Sequence, residues 1–195
     1  MEGYSGSDSY RIVEPLLGGP SRKIMVLSPY IDAFYASRLL AIARRKEVLF
    51  LTTRSQVNME ALRMLSRPRY GLMPKAIAYL AILLSIAVIL RLWYAVAILS
   101  VPLALSLLRL YLIRKNHGLP SNMKVRLARG RFVHEKIYIS EDEAVVGSAN
   151  LTYNGMHVNI EHIERITDQK RVAELRAHFA SLWRDPKKSK NLPYF

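Results

Sequence analysis

No cysteine occurs in the 195 residues of this chain, which excludes disulfides, zinc-thiolate centres and thiol nucleophiles and suits a reducing compartment. Acidic residues are also few: 15 Asp and Glu stand against 29 Lys and Arg, a net charge of +14. Such a balance creates a field that attracts polyanions or anionic lipid headgroups, a statement about partners and not about fold. The opening MEGYSGSDSYRIVEPL carries acidic residues early and lacks an apolar core of signal-peptide length, so no cleavable export signal is expected. No internal repeat and no low-complexity block is present, and no cluster of histidines and carboxylates has the spacing of a metal site. The length suits one sizeable domain plus a further element.

Short apolar runs set the expected framework. KIMVLSPYI reads as a buried strand closed by Ser28 and Pro29, the stretch from Asp32 to Arg45 has helical spacing, and EVLFLTT reads as a second buried strand. This is a β-α-β arrangement with a parallel pair and a covering helix. A short helix from Tyr10 to Leu17 precedes it, and another from Asn58 to Ser66 follows it. Nearer the C-terminus, MKVRLA and NIEHIERI are strand candidates, and Asp168 to Trp183 forms an amphipathic helix with Asp168 as its N-cap. The last residues, KKSKNLPYF, read as a loose basic tail.

The strongest physical signal is apolar. Ala76 to Leu90 is fifteen residues without a charge, and after Arg91 another seventeen follow before Arg109. A helix of about 17 residues is roughly 25 Å long, at the short end of what crosses a hydrocarbon core of about 30 Å. Two such legs predict a transmembrane hairpin over residues 76–113, turning near Arg91, with Trp93 and Tyr94 at an interface. Arg67, Arg69 and Lys75 before it and Arg109, Arg114 and Lys115 after it put both ends on the cytoplasmic side. A pair of buried soluble helices is the alternative, but the apolar residues run all the way round and form no stripe.

Chemistry concentrates in FVHEKIYISEDEAVVGSANLT, residues 132–152. Read as a strand, it places His134, Lys136 and Tyr138 on one face. The chain then turns through Glu141 and Asp142, runs through AVV, and breaks at Gly147, where a missing side chain lets backbone approach a ligand closely. Ser148 and Asn150 add short polar groups. An imidazole, an ammonium and neutral donors at one point suit a phosphate site with its own nucleophile or proton carrier. His117, His157, His162 and His178 lack a partner lysine and read as surface or packing residues.

HEKIYISEDEAVVGSAN resembles the H-x-K signature of the phospholipase D superfamily followed by its G-S-x-N loop. Glu141, with Asp142 beside it, occupies the position where the family usually has a structural aspartate, and the loop begins thirteen residues after His134, one fewer than usual. SPYI, LTYNG and NIE, which ends at Glu161, are also similar to single-motif members of the family. The resemblance implies an α/β fold with a mixed sheet flanked by helices, here interrupted by the hairpin. It also implies attack on phosphorus by His134, phosphoryl contacts from Lys136, Ser148 and Asn150, and orientation of an imidazole by Glu161. Neither cofactor nor metal is implied. Because the family builds each active site from two motifs and this chain holds one, a homodimer is expected.

The implied organisation is an N-terminal segment 1–20, a first part of the catalytic domain 21–73, the hairpin 74–115, a second part 116–185, and the tail 186–195. Because the implied fold puts strands before and after the hairpin in one sheet, the hairpin is expected to cross twice or to re-enter without fully crossing. The expected function is a membrane-anchored phosphodiesterase of nuclease type, with its catalytic domain in the cytoplasm. Residues 1–75 carry twelve positive and six negative charges, and residues 116–195 carry thirteen and nine. On this reading Arg126, Arg129 and Arg131, with Arg44, Arg45 and Lys46, flank a nucleic-acid groove. One alternative is a phospholipase or phosphatidyl transferase acting on anionic phospholipid. Another is a catalytically silent dimer that binds nucleic acid or acts as a scaffold.

Overall fold

The computed structural model describes residues 2–66, 73–90, 93–116, 120–129 and 133–192. They fall into two units: one joins residues 1–66 with 119–193, and the other is the insertion 67–118 together with residues 194–195.

The first unit is built on three apolar strands, β2 (Lys23–Leu27), β3 (Glu47–Thr52) and β4 (Met123–Ala128), which pair in parallel. In β3 both faces are buried, which explains the unbroken apolar run: Val48 and Phe50 face one core, Leu49 and Leu51 the other. The first core receives α1 (Tyr10–Gly18), α2 (Ala33–Ala43) and α3 (Met59–Leu65) through Val13, Leu16, Tyr35, Leu39 and Leu65. The second receives α7 (Gln169–Arg184), whose Val172 and Phe179 are buried with Leu175 and Leu182 beside them, the stripe its spacing predicts. Asp168 caps that helix, accepting from the Arg171 amide at 2.9 Å.

Antiparallel strands complete the sheet. β1 (Glu2–Gly6), β5 (Lys136–Ile139), β6 (Ala144–Gly147), β7 (Glu161–Ile166) and β8 (Ser189–Asn191) join in the order β1-β7-β6-β5-β2-β3-β4-β8. Residues 1–20 therefore belong to this unit: β1 lies along β7, and α1 lies in the core. Part of the expected loose tail is ordered too, because Ser189–Asn191 covers the outer edge of β4. The expected strand through His134 starts later, at Lys136, since the last rung of the β5–β6 ladder pairs Lys136 with Gly147.

These directions bring strand ends together. β2, β3 and β4 finish where β5 begins, β6 finishes and β7 begins, so Leu27, Thr52, Ala128, Lys136, Gly147 and Glu161 lie at one end of the sheet. Asn58, fully buried, braces that end. Its amide nitrogen donates to the carbonyls of Pro29 and Thr53, both at 2.8 Å, and its oxygen accepts from the Ile31 amide at 3.1 Å. Asp32 links the neighbouring helices, accepting from Tyr35 at the start of α2 and from Tyr153 at the start of α6 (Tyr153–His157).

The second unit consists of α4 (Met73–Ile89) and α5 (Trp93–Asn116), packed against each other. Two helices are present, but the expected pair of spans is not supported. Among the described residues only α5, over Trp93–Tyr111, is long and apolar enough to cross a membrane; the apolar part of α4, Lys75–Val88, falls short. The physical reason is length, since about 20 apolar residues are needed and α4 has 17 in all. Trp93 and Tyr94 open α5 and are exposed. Arg67, Arg69 and the expected turn at Arg91 lie outside the described residues.

Cutting the insertion out is expected to spare the sheet. A chain whose residues 67–118 are replaced by a Gly/Ser linker should stay soluble without detergent and melt cooperatively, because β3 and β4 pair through contacts wholly within the first unit. Aggregation without a cooperative transition would count against that independence.

Candidate active site

Lys136 anchors the site. As the first residue of β5 it is only 5% exposed, and its ammonium donates to the His134 carbonyl at 2.6 Å and contacts His134 Nδ1 at 3.0 Å. Burial pulls its pKa below the ordinary lysine value, and the nearby Glu161 carboxylate opposes that shift. Its link to His134 thus arises from a local turn before the strand, with the exposed imidazole at the strand's mouth.

The G-S-A-N segment follows β6. Gly147 is required by the neighbouring strand and not by a ligand: a Cβ there would lie 2.2 Å from the His162 carbonyl oxygen and 2.7 Å from Ile163 Cα. That close approach sets Ser148 between two strands. Its amide donates to the His162 carbonyl at 2.9 Å, and its hydroxyl accepts from the His162 amide at 3.0 Å. The same hydroxyl donates to Glu161 Oε2 at 2.5 Å, while Asn159 donates to Glu161 Oε1 at 3.2 Å. Glu161, only 8% exposed, therefore holds the serine, where the family resemblance implied it would hold an imidazole.

Asn150 sits where the loop passes beneath α6. Gly155 permits this, since a Cβ there would come within 2.6 Å of the Asn150 carbonyl oxygen. The side-chain oxygen of Asn150 is buried with no hydrogen-bond partner among the described residues. Turning the carboxamide would present its two N–H donors instead. Tyr138, two residues beyond Lys136, is fully buried and donates to the Ala149 carbonyl at 2.8 Å, which fixes the loop from below.

The remaining expected residues are placed elsewhere. Glu141 and Asp142 form the exposed β5–β6 turn, where their backbone carbonyls accept from Arg176 and Gln169 of α7. Arg126 stacks over Trp183 and donates to the carbonyls of Trp183 and Ser189, so it holds β8. Arg129 donates to Pro186 at 3.2 Å from the site end of β4, and Arg131 lies outside the described residues. Arg44, Arg45 and Lys46 precede β3 and so sit at the opposite end of the sheet, about 20 Å of strand from the site. They do not flank it.

Sequence reading missed Arg54. It follows β3 at the site end and is exposed, as are Arg129 after β4 and Lys187 and Lys188 before β8. Its position just past Thr53 was the available signal. Among the remaining histidines, His178 contacts Glu135 at 2.7 Å and so ties α7 to the segment that bears His134. His157 stacks between Tyr10 and Tyr153 at centroid distances of 4.4 and 4.7 Å, and His117 lies outside the described residues. No group of three or more potential metal ligands occurs among the described residues.

Comparison with known proteins places this geometry. Residues 107–183 match the family model described as cardiolipin synthase, PLD-like domain. No curated protein matches the chain. Among solved structures, the fold is similar to that of Nuc from Salmonella typhimurium, a phospholipase D family member, at 11% identity over 97% of each chain with a TM-score of 0.58. It is similar to NucT from Helicobacter pylori at 13% identity over 92% of each chain, with a TM-score of 0.52. A phosphatidylserine synthase from Haemophilus influenzae matches 97% of this chain and 38% of its own at 13% identity, with a TM-score of 0.51. Identities this low show a shared fold.

Proposed function

The chain belongs to the phospholipase D superfamily, and from that premise we propose that it is a phosphodiesterase of nuclease type, held at a membrane by its apolar helices and completed by a second copy of itself. His134 attacks phosphorus through Nε2, the P–N bond forms as the P–O bond to the leaving group breaks, and a second histidine donates the proton that the leaving oxygen takes up. Water then hydrolyses the phosphohistidine. Lys136, Ser148 and Asn150 hold the phosphoryl oxygens and offset the charge that grows on them.

The Lys136 contact describes the resting site. An ammonium only donates, so the contact makes Nδ1 of His134 an acceptor and puts the ring proton of the neutral imidazole on Nε2. A histidine that attacks needs Nε2 bare and its proton on Nδ1, and one that protonates the leaving oxygen needs both ring nitrogens protonated, so in either role Lys136 must be drawn from Nδ1 to a substrate oxygen. Each chain brings one such motif, and the exposed Val158 and Ile160, just before buried Glu161, offer an apolar surface for the second copy.

One observation favours a polynucleotide: Arg54, Arg129, Lys187 and Lys188 are exposed cations that follow β3, follow β4 and precede β8 at the site end of the sheet. Lipid chemistry is the second reading. It is favoured by the long apolar helix and by the matched family model, described as that of a cardiolipin synthase. Because β3 and β4 pair directly, both ends of the insertion lie on one side of any bilayer. That side is the cytoplasmic one by the charges near the insertion.

The test is a cleavage assay in detergent with EDTA, using labelled single- and double-stranded DNA, RNA and anionic phospholipid. Cleavage of a polynucleotide is the expected result. Turnover of phospholipid alone would replace the nuclease reading by the second one, and no turnover of any substrate would overturn both.

A further inference from the structure

At the far end of the sheet, α1 and α2 enclose a cleft of about 390 Å³, within the range of small-molecule sites. Four cations line it, Arg38, Arg44, Arg45 and Lys46, against one carboxylate, Glu14. Glu14 is already neutralised by Arg38 at 2.5 Å. Lys46, nine-tenths buried, donates to the carbonyls of Leu17 and Gly19 at the end of α1, which leaves one of its three N–H groups for another acceptor. Arg44 and Arg45 are exposed and form no ion pair or side-chain hydrogen bond among the described residues. The surplus of three positive charges surrounds a partly apolar floor at Ile42.

The position of the cleft adds a second argument. Arg44 to Lys46 lead directly into β3, and the first rungs of the β3–β4 ladder join Val48 to Asn122 and Met123, where the chain returns from the apolar insertion. Exposed guanidinium groups near the point where the chain re-enters this unit are placed to meet phosphate groups.

We propose that this cleft binds a phosphate-bearing anion of headgroup size, remote from the catalytic centre, with Arg44 and Arg45 as its principal contacts. The phosphate chemistry is shared by a lipid headgroup and a soluble phosphomonoester. The guanidinium pair grips the phosphate oxygens, Lys46 adds charge from below, and Ile42 accepts the carbon body of the headgroup.

The full-length protein in zwitterionic detergent is titrated calorimetrically with glycerol 3-phosphate and, separately, with dioctanoyl phosphatidylglycerol. Binding is expected to weaken about tenfold or more in R44Q/R45Q and to be retained in R44K/R45K and in His134→Ala. Binding of the lipid alone identifies a membrane headgroup as the source, and comparable binding of both identifies the phosphate itself as what is recognised. Equal affinity in wild type and R44Q/R45Q, or failure of both probes to bind, overturns the proposal. Both arginines are exposed, so a melt matching wild type verifies that the double variant is folded.

Discussion

His134→Ala is expected to lower EDTA-resistant phosphodiesterase activity by about four orders of magnitude or more, while leaving the melting temperature close to that of the wild type. On the proposed mechanism the loss is large because a symmetric dimer would use His134 twice, once to attack and once to protonate, so one substitution removes both groups. Stability is spared because the imidazole is exposed and lies before the first rung of β5. The measurement is kcat on a labelled oligonucleotide with wild type and variant side by side, with a melt of each. A variant that keeps a tenth or more of the activity would remove His134 from the mechanism, and the histidine–lysine contact would then be structural.

Gly147→Ala is expected to be the most damaging single methyl group in the catalytic unit. The new Cβ would sit 2.2 Å from the His162 carbonyl oxygen and 2.8 Å from Ile163 Cγ2. Neither neighbour can withdraw easily, since β7 is paired on one side with β6 and on the other with β1. We expect a cost of about 3 kcal/mol or more, seen as a fall in melting temperature of roughly 6 to 12 °C for a unit of this size. Activity should fall further than stability alone explains, because Ser148 is held by the same His162 backbone. An unchanged melt would show that β6 and β7 do not approach so closely in solution.

How legible the chain was follows from what carries each element. KIMVL, EVLFLT and MKVRLA announce themselves because their side chains are buried, on both faces in β3, and all three are strands as expected. EGYSG and SKN do not, because edge strands borrow their order from a partner: β1 exists through β7 and β8 through β4, and neither has an apolar pattern of its own. The same difference runs through the site. His134, Lys136, Ser148, Asn150 and Glu161 were readable as a set, and the fold brings β5, β6 and β7 together at one end of the sheet to hold them. What Gly147 is for was not readable, because the atom it avoids belongs to a residue fifteen positions away. Nor could charge alone separate Arg54 from Arg44: both are exposed, and only strand direction sends one to the site and the other to the far end. The apolar helices show the limit of composition, since α4 and α5 read alike yet among the described residues only α5 has the length to cross a membrane.

The parallel pairing of β3 with β4 also sets a timetable for biosynthesis. Val48 and Met123 are register partners, yet 75 residues separate them. At typical ribosomal speeds that interval takes roughly 4 to 15 s. During that time the inner edge of β3 has emerged with nothing to pair with, and the apolar helices emerge before its partner does. The nascent chain must therefore deliver its greasiest segment to a bilayer, or to a chaperone, while its sheet is still open in the middle. The last strands to arrive then close the sheet from both flanks.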